Sequence, residues 1–103
     1  MKLFVVFTTV GTPEDARRLS NGAVNNGLAA CVQIEAIESV YTWKNQIEND
    51  KELRLLFKTT HERYSDFERF ILANHPYELP ALYAVEITNA TDSYAQWVVA
   101  NTR

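Results

Sequence analysis

The sequence predicts an α+β fold of the ferredoxin-like type, with the element order βαββαβ, a further C-terminal helix and a long β-hairpin arm. Two observations carry this prediction. Segments rich in β-branched and aromatic residues alternate with segments of helical period, and two of the strand-like segments follow each other without a helix between them. The length of 103 residues fits one domain, which we take as residues 1–103.

The first strand and the first helix are indicated by the opening quarter of the chain. Residues 3–10 (LFVVFTTV) are apolar on both alternating faces, which is typical of a strand covered on both sides. Thr12 is a suitable N-cap and Pro13 a suitable first helical residue. Gly27 is the expected C-terminal cap of this helix.

The next two strands are predicted to form a hairpin. Residues 30–43 and 52–60 have the strand pattern, and the polar run 45–52 is expected to contain the turn. The apolar parity switches at Ala36–Ile37, which predicts a β-bulge or a bend there. These two strands form a hairpin longer than a small sheet needs.

The last part of the chain predicts two helices and one strand. A helix is expected over 61–74 with Thr60 as its cap, a strand over 82–88 and a terminal helix over 91–101. Between the first two lies HPYELP (75–80), whose prolines end the helix and form a rigid turn.

The predicted order places both main helices on one face of an antiparallel sheet and leaves the other face open. The first strand is apolar on both faces, and Leu56 adds an apolar side chain to the second face of its own strand. An open apolar face of this size is a liability in a monomer, so we expect other subunits to cover it.

Charge, apolar runs and cysteine content limit the function classes. Ten basic and thirteen acidic residues give a formal charge of -3, which argues against a nucleic-acid partner. The apolar run 3–7 is too short to cross a bilayer and no cleavage pattern follows it, so no membrane partner is expected. The single Cys31 cannot form an internal disulfide, which favours a reducing, cytoplasmic location.

The sequence contains no recognisable set of nucleophile, base and acid. Its two histidines, His61 and His75, are separated by a predicted helix, and no paired catalytic carboxylates stand out. We therefore expect that the chain is not an enzyme.

Four stretches together resemble one family. They are LAACV (28–32), the segment 41–60 that begins YTWK, HPYELPAL (75–82) and SYAQWV (93–98), and they resemble CutA, the divalent-cation tolerance family. The resemblance covers nearly the whole chain, in the family's order and spacing. It implies a ferredoxin-like homotrimer whose hairpin arms reach neighbouring subunits, and a role in tolerance to copper and other divalent metals.

His75 is the candidate metal ligand. Pro76 restricts it to an extended backbone, and imidazole is a common ligand for copper and zinc. The alternative is a helix-ending turn whose histidine bonds a nearby carbonyl. Some family members carry a first-strand cysteine and a second histidine where this chain has Phe7 and Asn74. We therefore expect weak, His75-dependent binding of Cu(II) or another divalent cation, which folding does not require.

Cys31 is the less favoured candidate ligand. In the segment AACV (29–32) it is expected as a small buried hydrophobe. The alternative is a redox-active or metal-binding thiol, which needs partial exposure.

Further candidate contact residues belong to the hairpin. Tyr41 and Trp43 lie near its predicted tip, where they indicate either a subunit interface, which the resemblance favours, or packing on their own sheet. Glu52 and Lys58 share a strand face and are candidates to line an inter-subunit cleft, the alternative being solvated surface charges. The acidic residues of 48–52 are expected at a solvated turn, since their spacing does not match a calcium loop.

A second function fits the same architecture. The family fold and trimer resemble PII signalling proteins, so the alternative is a PII-like trimer that binds a small effector between subunits, or an adaptor trimer without metal chemistry. Only three glycines are present and none forms a run, which weakens a nucleotide-binding role.

Overall fold

The computed structural model describes all residues from Met1 to Arg103. Its elements, in chain order, are β1 (Leu3–Val10), α1 (Pro13–Asn25), β2 (Cys31–Trp43), β3 (Gln46–Thr60), a 3-10 turn (His61–Arg63), α2 (Tyr64–Asn74), β4 (Leu82–Ile87) and α3 (Asp92–Ala100).

The four strands form one antiparallel sheet in the order β2-β3-β1-β4. This order, with α1 and α2 as the two connections that cross the sheet, confirms the predicted ferredoxin-like fold. The two longest strands lie side by side at one edge, and the short β4 forms the other edge.

The helix starts follow the local sequence. The Thr12 hydroxyl accepts a hydrogen bond from the Asp15 backbone N–H at 3.1 Å, so Thr12 caps α1 as predicted. Asn26 occupies the C-cap of α1, and Gly27 follows it with φ 68. Thr60 precedes the 3-10 turn without a side-chain cap, so the predicted cap was wrong.

The main core lies between the sheet and the pair α1 and α2. Phe57 of β3 and Phe67 of α2 meet edge to face, with ring centroids 4.8 Å apart. Both rings are fully buried, as are the side chains that surround them: Val6, Val10, Leu19, Leu55 and Ile71. The helices and the sheet pack in two layers because α2 has an apolar stripe and the alternate side chains on one face of β1 and β3 are apolar.

The opposite face of the sheet is covered only at one end. There α3 buries Val98 against Leu3 and Ala30 in a small second cluster. The remaining apolar side chains form what we call the open face, made of Val5, Phe7, Leu56, Tyr83 and Val85. Tyr83 and Val85 are each about half exposed (51% and 50%), so the predicted open apolar face is present in the single chain.

The hairpin extends well beyond the rest of the sheet. Pairing of β3 with β1 ends at Leu53, whereas its pairing with β2 continues to Gln46. Residues 37–52, which we call the arm, are therefore a two-stranded ribbon about 23 Å long at roughly 3.3 Å per residue.

Two expectations for the hairpin were wrong. The β2–β3 register runs without interruption through Ala36 and Ile37, so there is no bulge. The parity switch instead marks where the ribbon leaves the core. The turn is the pair Lys44–Asn45, both with positive φ, so the acidic residues of 48–52 lie in strand β3 and not in the turn.

Asn45→Ala is expected to lower the free energy of unfolding by about 1 kcal/mol, because alanine tolerates the φ of 66 at this position less well than asparagine. Chemical denaturation followed by circular dichroism measures the change. Asn49→Ala, in the adjoining strand β3 where the φ angle is not positive, is the matched control. Equal losses in the two variants would contradict the proposed role of the backbone conformation.

Candidate functional site at the base of the arm

His75 occupies the C-cap of α2 and begins the segment that we call the 75–80 loop. Its backbone is extended (φ -75, ψ 136), as the following Pro76 requires, and its N–H donates to the Ile71 carbonyl at 2.8 Å. The side chain is thereby directed away from the helix toward the end of β1.

Both ring nitrogens of His75 are used in hydrogen bonds. The backbone N–H of Tyr77 donates to Nδ1 at 3.1 Å. Because a backbone N–H can only donate, Nδ1 carries the lone pair and the proton of the neutral ring is on Nε2. Nε2 lies 3.0 Å from the carbonyl of Thr9 and 3.1 Å from Oγ1 of Thr8, so it donates to the end of β1.

The far end of the loop is held by the same strand. The fully buried Thr8 donates its hydroxyl proton to the Ala81 carbonyl at 2.6 Å, which leaves its oxygen free to accept from His75. The carbonyl of Ala81 is thus fixed just before β4 begins. Through Thr8 and Thr9, β1 anchors both ends of the 75–80 loop.

The middle of the loop contacts the arm. Tyr77 donates its hydroxyl proton to Oε2 of Glu52 at 2.7 Å, and a Cβ at Gly11 would come within 3.3 Å of the same hydroxyl. Lys44 at the arm tip lies 3.9 Å from Glu78, but both side chains are largely exposed, so this ion pair contributes little. Tyr77 is therefore the main link between loop and arm.

The ionisation of these groups follows from their surroundings. Burial lowers the pKa of His75, and the hydrogen bond to Thr9 partly opposes this effect. Burial and the carboxylate of Glu52 raise the pKa of Tyr77. At the arm, the hydrogen bond to Asp50 is the main cause that raises the pKa of Tyr41 to about 12. The site is thus built from a neutral imidazole and neutral phenols that donate to carboxylates.

An open groove of about 500 Å³ runs beside the arm base, lined among others by Gly11, Pro13, Ile37 and Glu52. Glu52 therefore lies in a concave surface of the single chain, and its role in an inter-subunit cleft stays a prediction. Lys58 is on the same strand face but about 20 Å away at ~3.3 Å per residue, and it donates to the side chain of Gln33. One chain alone does not bring Glu52 and Lys58 together.

The other predicted residues make their side-chain contacts elsewhere than at the His75 ring. Cys31 is partly buried, with Sγ 3.7 Å from the hydroxyl of Tyr94 on α3. Phe7 stacks on Tyr83 in the open face, and Asn74 donates to the carbonyl of Phe70. No group of three or more His, Cys, Asp or Glu side chains is arranged to hold a metal ion. The side chains of one chain therefore do not form a closed metal cage.

Tyr41 and Trp43 lie just before the turn, close to the tip of the arm as predicted. Tyr41 is exposed and Trp43 half-buried, with the Lys44 ammonium 5.5 Å from the indole centroid. Neither residue reaches the main core. Their role as subunit contacts stays a prediction.

The sequence reasoning missed Thr8, Thr9 and Tyr77 as parts of the site. The threonines lie 67 and 66 residues from His75, so no local pattern connects them. Tyr77 had a local signal, because its backbone N–H comes two residues after a histidine whose conformation Pro76 restricts.

These features define a ferredoxin-like α+β protein with an extended β2–β3 hairpin. The family model described as CutA1 divalent ion tolerance protein matches residues 4–101. The chain therefore belongs to the CutA1 divalent ion tolerance protein family.

Individual relatives agree with this assignment. Protein CutA, chloroplastic, of Arabidopsis thaliana is 38% identical over 100 residues, covering 96% of this chain and 55% of the plant protein. The divalent-cation tolerance protein CutA of Thermus thermophilus is 36% identical over 99 residues, covering 95% of this chain and 96% of the other. The chain thus spans about half of the plant relative and nearly all of the bacterial one.

Solved structures show the same fold over the whole chain. Divalent ion tolerance protein CutA1 from Ehrlichia chaffeensis superposes with a TM-score of 0.94 at 40% identity, covering 100% of this chain and 98% of the other. CutA from Synechococcus elongatus gives a TM-score of 0.96 at 33% identity, covering 99% of this chain and 91% of the other.

None of the helices of this chain has the length and apolar character needed to cross a bilayer.

His75 should make stability depend on pH. Because burial lowers its pKa in the folded chain, its contribution is present above the unfolded value near 6.5 and is lost as the pH falls through the folded value. The difference in free energy of unfolding between the unmodified chain and His75→Gln should therefore shrink between about pH 7 and pH 5. Urea denaturation at several pH values measures it, and a constant difference would contradict this role.

Proposed function

We propose that the chain contributes to divalent-cation tolerance, with copper as the first candidate cation, and that it does so as a homotrimer. The observation that supports the trimer best is the open face together with the arm. Both leave large apolar side chains in contact with water in the single chain. The family assignment supports the link to divalent cations.

The open face supports assembly because it is contiguous. Phe7 and Tyr83 stack with centroids 5.1 Å apart, and Val85 lies on the same face of β4. A soluble monomer rarely leaves a patch of this kind uncovered, especially next to an unpaired strand edge. A symmetric trimer would cover the face with the same surface or an adjoining surface of each neighbour.

The arm supports assembly for a second reason. An isolated two-stranded hairpin is at best marginally stable in water. Here Val40 is 69% exposed and Ile47 74% exposed, and Tyr41 and Trp43 add aromatic surface near the tip. We propose that the arm packs on a neighbouring subunit, with these two aromatic side chains as its anchors.

His75 is the proposed cation ligand, and we expect its affinity to be low. A cation must displace hydrogen bonds that the ring already makes, and one imidazole alone gives little selectivity. A ligand from another subunit would strengthen the site. Cys31 is the less favoured ligand, because its sulfur contacts Tyr94 on the opposite face of the sheet.

The second candidate is a PII-like effector or adaptor role, and the groove beside Glu52 favours it. This groove is open in one chain, so a neighbouring subunit that closed it would create an inter-subunit pocket. Lys58 from a neighbour is then the proposed partner for an effector or for Glu52. Binding of a small molecule without any divalent cation would distinguish this role.

Location and catalysis stay predictions. We propose a cytoplasmic protein without enzymatic activity, supported by the single cysteine and by the absence of a catalytic set in the sequence. Relatives differ in location, since the Arabidopsis protein is chloroplastic and the CutA of Archaeoglobus fulgidus is described as periplasmic.

Sedimentation equilibrium should give three times the 11.8 kDa mass of the chain. Val85→Asp places a charge in the open face and should dissociate the trimer, whereas Leu72→Asp on the outer face of α2 should not. The two residues are similarly exposed (50% and 52%), so the variants are matched. Trp43→Ala should weaken assembly through the arm. An unmodified chain that sediments as a monomer at micromolar concentration would contradict the proposed trimer.

Calorimetric titration with Cu(II) should show binding with a dissociation constant of roughly 10–100 µM, equivalent to about -7 to -5 kcal/mol. His75→Ala should abolish it, and His61→Ala, at the exposed second histidine, is the control. Circular dichroism and sedimentation confirm that each variant is folded and assembled. Unchanged affinity in His75→Ala would show that His75 is not the ligand.

A further inference from the structure

A cation cannot bind the His75 ring without breaking a specific backbone hydrogen bond. In the free chain, Nδ1 accepts from the Tyr77 N–H and Nε2 donates to Thr9 and Thr8. A metal ion needs a nitrogen lone pair, and the only lone pair of the neutral ring is already the acceptor for Tyr77.

The choice of ring nitrogen does not change this result. If the cation binds Nδ1, it directly replaces the Tyr77 N–H. If it binds Nε2, the remaining ring proton moves to Nδ1, which then faces the Tyr77 N–H as a second donor. In both cases the Tyr77 N–H loses its acceptor, and the second case also breaks the hydrogen bonds from His75 to β1.

Tyr77 connects this event to the arm. Its backbone is bonded to His75, while its side chain is bonded to Glu52 at the base of β3. Its ring also lies edge to face against the imidazole, with centroids 4.9 Å apart. A shift of the Tyr77 backbone therefore moves the hydroxyl that holds Glu52.

The surrounding charges are suited to a cation that approaches His75. The carboxylates of Asp15 on α1 and Glu52 on β3 favour a positive charge at the ring, and Arg18 on α1 opposes it. When Tyr77 leaves Glu52, this carboxylate gains a free oxygen beside the groove at the arm base.

We propose that cation binding at His75 and attachment of the 75–80 loop to the arm exclude each other, so that a bound divalent cation releases Tyr77 from Glu52. This inference rests on the proposed function, in which His75 is the ligand. It adds that the site is a switch between two sets of contacts. By linkage, a cation that weakens the Tyr77–Glu52 contact must itself be bound more weakly while that contact is intact, by the same factor.

The test uses Zn(II), which is diamagnetic, so calorimetry and amide exchange by NMR can be performed on the same intact protein. Tyr77→Phe removes the hydroxyl that holds Glu52 without changing any charge. It should bind Zn(II) about fivefold more tightly than the unmodified chain, as the loss of one exposed hydrogen bond implies. Tyr64→Phe is the matched control, because it removes another tyrosine–glutamate hydrogen bond, to Glu68 on α2.

A second readout follows the switch itself. In the unmodified chain, saturation with Zn(II) should accelerate hydrogen exchange at the Tyr77 amide by at least about tenfold, while core amides such as that of Phe57 stay protected. This readout depends on the contact that the cation is expected to break and not on affinity.

The outcomes separate the inference from the proposed function. Tighter binding in Tyr77→Phe alone, with faster exchange at Tyr77, supports the switch. Equal affinities in all three proteins, with faster exchange at Tyr77 on saturation, overturn the switch and leave His75 as a ligand. An unchanged Tyr77 amide at saturation overturns the ligand role as well, because ligation of either ring nitrogen removes the acceptor of that amide. Binding that is absent, or that persists in His75→Ala, overturns both.

Discussion

The difference in length between neighbouring strands determines most of this structure. β1 has eight residues, and β3 has fifteen, so almost half of β3 finds no partner in β1 and can pair only with β2. This extension is not buried in the main core, because α1 and α2 pack on the part of the sheet that contains β1. The arm, its exposed apolar side chains and the groove at its base all follow from this one mismatch.

The same mismatch explains why the 75–80 loop must be fixed so firmly. At the point where β1 ends, the arm base loses its neighbour, and the loop occupies the adjacent space with Tyr77 against Glu52 and Gly11. The two prolines limit the loop conformations, but they cannot position it, since proline has no N–H to donate. The hydrogen bonds from His75 to β1 and from Thr8 of β1 to the Ala81 carbonyl position the loop instead, which makes the imidazole a structural group as well as a candidate ligand.

Most of the fold could be predicted because each element carries its own periodic signal. The parity of β1 and the stripe of α2 are local patterns, and burial in the structure follows them. The turn was misplaced because Lys44–Asn45 contains no glycine, whereas the polar run after it resembles a loop. In the site, His75 could be singled out as a candidate because the following Pro76 restricts its backbone conformation. Its partners were not, because sheet pairing brings Thr8 and Thr9 to it from the other end of the chain.

The occupied imidazole also constrains what kind of cation binding is useful for tolerance. Hydrogen bonds of this kind contribute about 1 kcal/mol each, so breaking two of them would weaken binding by roughly 30-fold relative to a free histidine. A cage of several free ligands would have no such cost and would hold its cation continuously. On the proposed function, the chain instead binds only when the cation concentration is high, and the loop restores its own hydrogen bonds as the cation leaves. Phe7 and Asn74 stand where some family members carry metal ligands. Their presence here is then consistent with a site that responds to excess cation and does not store it.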